Sequence, residues 1–455
     1  MPLSIVWRDS TDPDSYEEAR TRRLFNRDIP KRYPIAVVYA GRESDIVDAV
    51  KLAIEKGCRV SVLSGGHSFP AWSIRDDAIL LDLGNYTDMA FDQETGIVSA
   101  SPSTTGHALN EFLIVKNRMF QVGHCPEVGI GGFLLAGGMG WNCNNWGWSS
   151  EQIVAIDAVT ASGNLIQANA QQNSDLLWAA KGAGPGFPGI VTRFHLQTRP
   201  APKVMRSSRY VYAMKDYTAA FSWILQVPFT DEDGVEAIVV GSYPSGMEEP
   251  CLTIALVGFG EDENTVEEGL QKAEKARPPG SLTHSVCTKT NLGELLESKA
   301  KAYPQGYRYC VDNAFLKNGA NVVSVLELAF TTLPTKTSQV FWTGMKPCSR
   351  RQLPDMALSL QSDHFFALYA IWSHEGDDSN CKSWAGNVMK TIDTHSVGAY
   401  VGEFDFQVRR SKVWGNEQAK TLTEIQRRWD PDSRICGCLG LEDLGDADLM
   451  ASKSK

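Results

Sequence analysis

Two hydrophobic periods alternate along this chain. Residues 35–39 (IAVVY) form an unbroken apolar run that predicts a short buried strand. Residues 44–56 then place Ile46, Val47, Val50, Ala53 and Ile54 on one helical face, with Ser44 positioned to cap the start and Gly57 to close the end. Residues 59–63 (RVSVL) predict the next strand, which runs directly into Ser64-Gly65-Gly66-His67-Ser68. Strands are predicted over 79–83 and 97–100 and a helix over 106–115, so the first 200 residues mix short elements with glycine at the turns.

Thr198-Arg199-Pro200-Ala201-Pro202 reads as a linker, and beyond it the texture changes. Strands are predicted over 235–240, 252–257, 322–328 and 365–372, separated by helices over 265–276 and 292–302. That pattern suits one sheet covered on a single face by helices, an α+β layer. A last helix over 416–428 stops at Asp430-Pro431-Asp432.

Composition narrows the function classes. Hydrophobic residues make up 43% of the 455 and charged residues 22%, as in a folded globular protein. Lys+Arg 44 against Asp+Glu 54 leaves a net charge of -10, which argues against a nucleic-acid partner. No apolar run approaches the roughly 18 residues of a membrane span. Charge also arrives by Arg8 and Asp9, too early for a signal peptide, so a cytoplasmic location is expected. The ten cysteines are scattered without a C-x-x-C pair and are expected to be reduced. Neither Cys436-Gly437-Cys438 nor His284 with Cys287 has metal-type spacing, so no metal site is expected; the former reads as packing or a loose turn.

Glycine is concentrated in three stretches, 64–68 (SGGHS), 123–140 (GHCPEVGIGGFLLAGGMG) and 182–189 (GAGPGFPG). Glycines let several backbone N–H groups approach one phosphate. Three such loops suggest a long phosphate-bearing cofactor, whereas any one alone reads better as a tight turn. Gly184-Pro185-Gly186-Phe187-Pro188-Gly189 matches G-x-G-x-x-G formally, yet a helical pattern (175–181) precedes it and a β-branched run (190–194) comes after it. A nicotinamide-dinucleotide fingerprint needs the reverse order, so that reading is rejected. Trp141, Trp146 and Trp148 cluster beside the second loop, as core, as shielding of the cofactor or as an aromatic wall for substrate.

SGGHS after a strand, then HCPEVGIGG, then DLLWAAKGAGPGFPGIVT, and finally AYVGEFDF with VWGNEQAKTLTEIQRRWDPDSRI occur in one order over nearly the whole chain. This set resembles the flavin-linked oxidases of the vanillyl-alcohol oxidase and p-cresol methylhydroxylase type, in the berberine-bridge-enzyme-like branch. The resemblance implies an α+β fold. A PCMH-type FAD-binding domain would take residues 1–200, a substrate domain with a helix-covered antiparallel sheet 201–406, and a C-terminal return to the FAD domain 407–455. It implies FAD held bicovalently, with His67 bonded to the 8α-methyl carbon and Cys125 to ring carbon C6. Ser64, Gly65, Gly66, Ser68, Val128, Gly129, Gly131, Gly132, Gly137, Gly138, Gly189, Ile190 and Val191 complete the expected cofactor set. Both attachment residues are nucleophiles facing an electron-poor ring, and a double tether fixes its orientation.

The implied reaction is two-electron oxidation of a small organic substrate (an alcohol, amine or activated C–H). A base takes a proton, flavin N5 takes a hydride, and O2 is reduced to H2O2. A natural-product cyclase, a dehydrogenase with another acceptor and an inactive flavin carrier are the alternatives. In this branch a small valine three residues after the bonded cysteine, here Val128, goes with oxidase behaviour. Three departures stand out. Leu63 replaces a common basic residue, Gly402-Glu403 replaces a usual Asn-Tyr, and Trp342-Thr343-Gly344-Met345-Lys346-Pro347 lacks the Met-x-Glu-Ile-like acid of some alkaloid oxidases. If 399–406 is a regular strand, Tyr400 and Glu403 face opposite ways and only one reaches the ring. Glu403 is favoured as base, because a half-apolar pocket raises a carboxylate's pKa. A solvated or ion-paired Glu403 and a catalytic Tyr400 are the competing readings.

Overall fold

The computed structural model of the chain describes residues 2–441. Near the N-terminus a four-stranded sheet runs in the order Ser4–Trp7, Ala36–Tyr39, Ile79–Asp82, Val60–Leu63, with its last three strands parallel. Helix Glu43–Lys56 buries Ile46, Ala49, Val50 and Ala53 against Val38, Val60, Ile79 and Leu81. Gly57 closes it at φ 64, a left-handed turn that glycine adopts without strain. Ser44 does not cap this helix. Arg42 holds the cap position, and the Asp45 carboxylate instead accepts the Gly41 N–H and pairs with Arg42.

A second, antiparallel sheet orders Met89–Asp92, Ile97–Ala100, Gly189–Gln197, Ile153–Thr160 and Leu165–Asn169. The stretch expected to be a linker is tied down: Arg199–Pro200 pairs with Arg118–Met119, and Arg118 donates to the Thr198 hydroxyl. Residues 430–436 return to the first sheet, where Ile435 bridges Val60.

The third sheet has eight antiparallel strands, ordered Thr283–Lys289, Val204–Ala213, Cys251–Gly260, Val235–Ser242, Gln339–Gly344, His364–Trp372, Arg308–Leu316, Ser396–Gly398. Alternation along a strand sends successive side chains to opposite faces. Val239, Leu252, Ile254, Val340, Leu368 and Ala314 therefore face one way, under helices Tyr217–Gln226, Glu263–Glu274, Val322–Thr331 and Asp378–Ile392. Residues of opposite parity, among them Val311, Phe315, Phe365 and Tyr369, join the core shared with the N-terminal part.

Two expectations fail in this layer. Residues 322–328 are helical, not a strand: Val322, Leu326, Ala329 and Phe330 are buried on one side at helical spacing, and the Asn321 side chain caps the first turn. The dense apolar composition of this stretch disguises that period. Helix Leu292–Ala302 does exist, but it packs Leu292 and Leu295 against Trp141, Val257 and Phe259, on the face away from the other helices.

The inner face is fastened to the N-terminal part by buried polar bonds. The Asn26 amide donates to the carbonyls of Phe69 (2.8 Å) and Tyr309 (2.9 Å), while its oxygen accepts the N–H of Tyr309 (2.8 Å) and of Asp28 (2.9 Å). Arg308 adds ion pairs to Asp28 and Asp378. Among the described residues no helix is long and apolar enough to cross a membrane.

Asn26→Ala would strand several buried backbone groups at once. Urea unfolding should show a loss of about 3 kcal/mol; a loss near zero would mean that this joint does not hold the two parts together.

Candidate functional site

A cavity of about 330 Å³ lies between the glycine loops and the inner face of the eight-stranded sheet. All of residues 64–68 line it, as do Cys125, Val128, Gly129, Gly131 and Gly132 from the second loop and Gly189, Ile190 and Val191 from the third. Gly137 and Gly138 do not. Both have positive φ and pack away from the cavity, and the Gly138 N–H donates to the Tyr400 hydroxyl at 3.2 Å. Cys436 and Gly437, expected to be packing or a loose turn, line the cavity because the Ile435 bridge carries them alongside Val60.

The first two loops touch backbone to backbone. A Cβ on Gly65 would stand 2.6 Å from the Gly129 nitrogen, and one on Gly129 would stand 2.8 Å from the Gly65 Cα. Nothing larger than glycine fits at that crossing. The second loop is held by hydrogen bonds from Gly106 N–H to Val128, Ile130 N–H to Thr104 and Gly131 N–H to Pro102. A Cβ on Gly132 would meet nothing within 4 Å. In the first loop the N–H groups of Gly65, Gly66, His67 and Ser68 find no acceptor among the described residues. Arg23 is already committed to Asp82 and the Ser64 carbonyl.

His67 stacks on Phe25 with ring centroids 4.1 Å apart, and burial lowers its pKa to about 4, so its ring is neutral and keeps a lone pair. Burial pushes the Cys125 thiol up to about 12, against the pull of the Lys299 cation. Both side chains line the same cavity.

The closing segment is not a strand over 399–406. Pairing ends at Ser396–Gly398, and Val401–Glu403 forms a tight helical turn. A side chain at Gly398 would meet the Lys412 carbonyl at 2.3 Å, and the Ala399 N–H goes to that same carbonyl, so the chain leaves the sheet there. Asn313 captures the turn beyond: its amide donates to the carbonyls of Tyr400 (3.0 Å) and Glu403 (2.8 Å), and its oxygen accepts the Tyr400 N–H (2.7 Å). Tyr400 and Glu403 therefore both line the cavity, and the alternation argument for choosing between them fails.

Their chemistry separates them instead. Burial raises the Tyr400 pKa, keeping it a phenol, and its oxygen already accepts a backbone N–H. Glu403 is raised by burial to about 7, moderated by the Tyr369 hydroxyl that donates to its Oε1 at 2.8 Å. Tyr303 sets its ring edge-on to Tyr369 at 5.0 Å. A carboxyl poised near neutrality can take and return a proton at physiological pH.

Sequence reasoning missed Glu236, Lys299, Tyr303, Phe341 and Tyr369, all of which line the cavity. Glu236 carried a signal, being the single charge in the apolar strand Val235–Ser242. No acid stands at 342–347, where one was sought; Glu236 is on the neighbouring strand, two residues before Ile238, which pairs with Thr343. Of the three clustered tryptophans none lines the cavity, although Trp141 backs His124 with centroids 4.4 Å apart. No group of three or more potential metal ligands gathers among the described residues.

Residues 34–169 match the family model of the FAD binding domain. The FAD-linked oxidoreductase nodO of Hypoxylon pulicicidum is 39% identical over 435 residues, covering 96% of this chain and 97% of that protein. The Physcomitrella patens BBE-like 1 structure superposes with TM-score 0.79 at 19% identity, covering 95% of each chain. The glucooligosaccharide oxidase of Acremonium strictum, which carries a 6-S-cysteinyl, 8α-N1-histidyl FAD, superposes with TM-score 0.81 at 17% identity, covering 96% and 97%.

The raised Glu403 pKa has a consequence for stability. The folded state holds this proton more tightly than the unfolded chain, whose carboxyl titrates near 4.5. Ionising Glu403 therefore costs nothing below that pH, progressively more up to about 7, and about 3 kcal/mol above it. Glu403→Gln should match wild type at pH 4 and exceed it at pH 8 in denaturant unfolding. A difference independent of pH would contradict the shift.

Proposed function

This chain belongs to the FAD-linked oxidoreductases of berberine-bridge-like fold, and from that premise we propose that it is an oxidase whose FAD is joined to both His67 and Cys125 and whose base is Glu403. The observation that carries the reading is the shared cavity, in which both nucleophiles and a carboxyl raised to about 7 face one space.

The residues present fit the cofactor. Four unpartnered N–H groups in the first loop suit the pyrophosphate, a role made necessary by Leu63 standing where a cation is common. Gly129 and Gly131 let the second loop press against Gly65, Ser64 and Pro102, Gly132 has open space where a side chain would stand, and Gly189, Ile190 and Val191 extend the cradle. Neutral His67 would offer a ring nitrogen for one bond and the deprotonated Cys125 a sulfur for the other; each attachment also breaks a C–H bond of the ring system and leaves an electron pair on the flavin, which dioxygen would remove. When bound, the flavin supplies a two-electron acceptor that takes a hydride from substrate and passes electrons to dioxygen.

The rest of the work falls to side chains of this protein. Glu403, ionised above about pH 7, accepts the substrate proton. Tyr369 holds Oε1 in place and favours the anion, while Asn313 fixes both ends of the turn that carries the carboxyl. Phe341, Phe365 and Tyr303 wall the space and keep water from the reacting carbon. Such walls suit a substrate with an apolar body (alcohol, amine or activated C–H). The small Val128 beside Cys125 supports oxygen as the acceptor.

Denatured wild-type protein should keep all its flavin. His67→Ala and Cys125→Ala should each retain one bond, and only the double variant should release the cofactor. Screening alcohols, amines and apolar secondary metabolites for anaerobic bleaching should find a substrate that yields one H2O2 per product in air. Free FAD recovered quantitatively from wild type, or turnover that needs an artificial acceptor, would defeat the reading.

A further inference from the structure

The cavity contains a second polar group that the proposed chemistry does not use. Helix Leu292–Ala302 presents Lys299 to it, and strand Val235–Ser242 presents Glu236 from the inward-facing parity. Glu236 is 3% exposed. Its Oε2 accepts the Asn142 N–H at 3.1 Å, and its Oε1 meets His124 Nε2 at 3.3 Å. Each carboxylate oxygen keeps capacity for another donor.

Lys299 is the more unusual partner. Among the described residues its amine has no hydrogen-bond acceptor and no carboxylate within 4 Å. The Trp141 ring is the nearby aromatic face, with Nζ 6.0 Å from the centroid. A half-buried ammonium without an anion or acceptor is costly unless something else satisfies it. The open side of Lys299 is the cavity itself, and its charge bears on both Cys125 and Glu236. Around these two groups the walls are Ile238, Phe341 and Met345.

We propose that Lys299 and Glu236 form an anchoring subsite for a hydroxyl group on an otherwise apolar substrate. A hydroxyl matches the pair in both senses, accepting from the ammonium and donating to the carboxylate; a carbonyl would satisfy only the first. Lys299, Glu236 and Glu403 all line one cavity, so a substrate anchored here lies within the same chamber as the base. This inference deepens the proposed oxidase reading by naming a feature of its substrate, and rests on it.

The test is binding without turnover, so the role of Glu403 does not enter. Calorimetry on the holoenzyme reduced with dithionite and kept free of oxygen, whose flavin can accept no hydride, would compare naphthalene-methanol with methylnaphthalene. Wild type should bind the alcohol at least about tenfold more tightly, the value of a charge-assisted hydrogen bond. Lys299→Met should abolish that preference while leaving the hydrocarbon's affinity in place, and Glu236→Gln, which keeps an acceptor for Asn142, should reduce it. If Lys299→Met does not fold, the ratio in Glu236→Gln decides alone. Equal affinity for the two probes in wild type, failure to bind either, or a preference that survives the substitutions would overturn the proposal. So would a changed flavin spectrum in Lys299→Met with the preference intact, which would make Lys299 a cofactor contact.

Discussion

Asn313 is fully buried on the inner face of the eight-stranded sheet, and its carboxamide spends three hydrogen bonds on the backbone of residues 400–403. A side-chain amide is a good mimic of a strand's own donor and acceptor pair, so it can hold a turn where sheet pairing has ended. Behind it, Arg409 grips Asp312 with two bonds of 2.8 and 2.7 Å and also donates to the Asn313 carbonyl. Without this arrangement the backbone of the turn after Gly398 would lose three of the hydrogen bonds that hold it. With it, one turn delivers a carboxyl and a phenol into the same cavity.

The opposite wall obeys a different constraint. Gly65 and Gly129 meet at a distance only two glycines allow, and the contact sets how close the first two loops come. Asn26 then ties the first loop, through Phe69, to the strand that carries Asn313. Loop, strand and turn thus form one hydrogen-bonded frame around the cavity. Rigid support of this kind is what positions a base to about an ångström.

Much of this is legible in the sequence where the local pattern is strong. The glycine loops and the helices near 44–56 and 416–428 can be read because each depends on residues close together in the chain, whereas His67 and Cys125 stand out only through the family resemblance, and both line one cavity. Glu403 can be singled out too, but not by strand alternation, since the strand that argument needs does not exist. The turn at 401–403 is dictated by Asn313, about ninety residues away, and no local period announces it. The same limit hides Lys299 and Tyr369, whose importance depends on which face of the sheet their elements occupy. Val322–Thr331 misleads for the opposite reason, since its β-branched, densely apolar composition favours a strand and hides the helical spacing and the Asn321 cap that the structure uses.

The account stands or falls on the role of the Glu403 carboxyl. The most direct measurement is stopped-flow flavin reduction by substrate, without oxygen, in Glu403→Gln and in Tyr400→Phe. The account predicts a loss of about 10²–10⁴-fold in Glu403→Gln with the flavin still covalently held, and a wild-type rate that rises with pH through about 7. An unchanged rate in Glu403→Gln, together with a large loss in Tyr400→Phe, would contradict it and move the base to Tyr400.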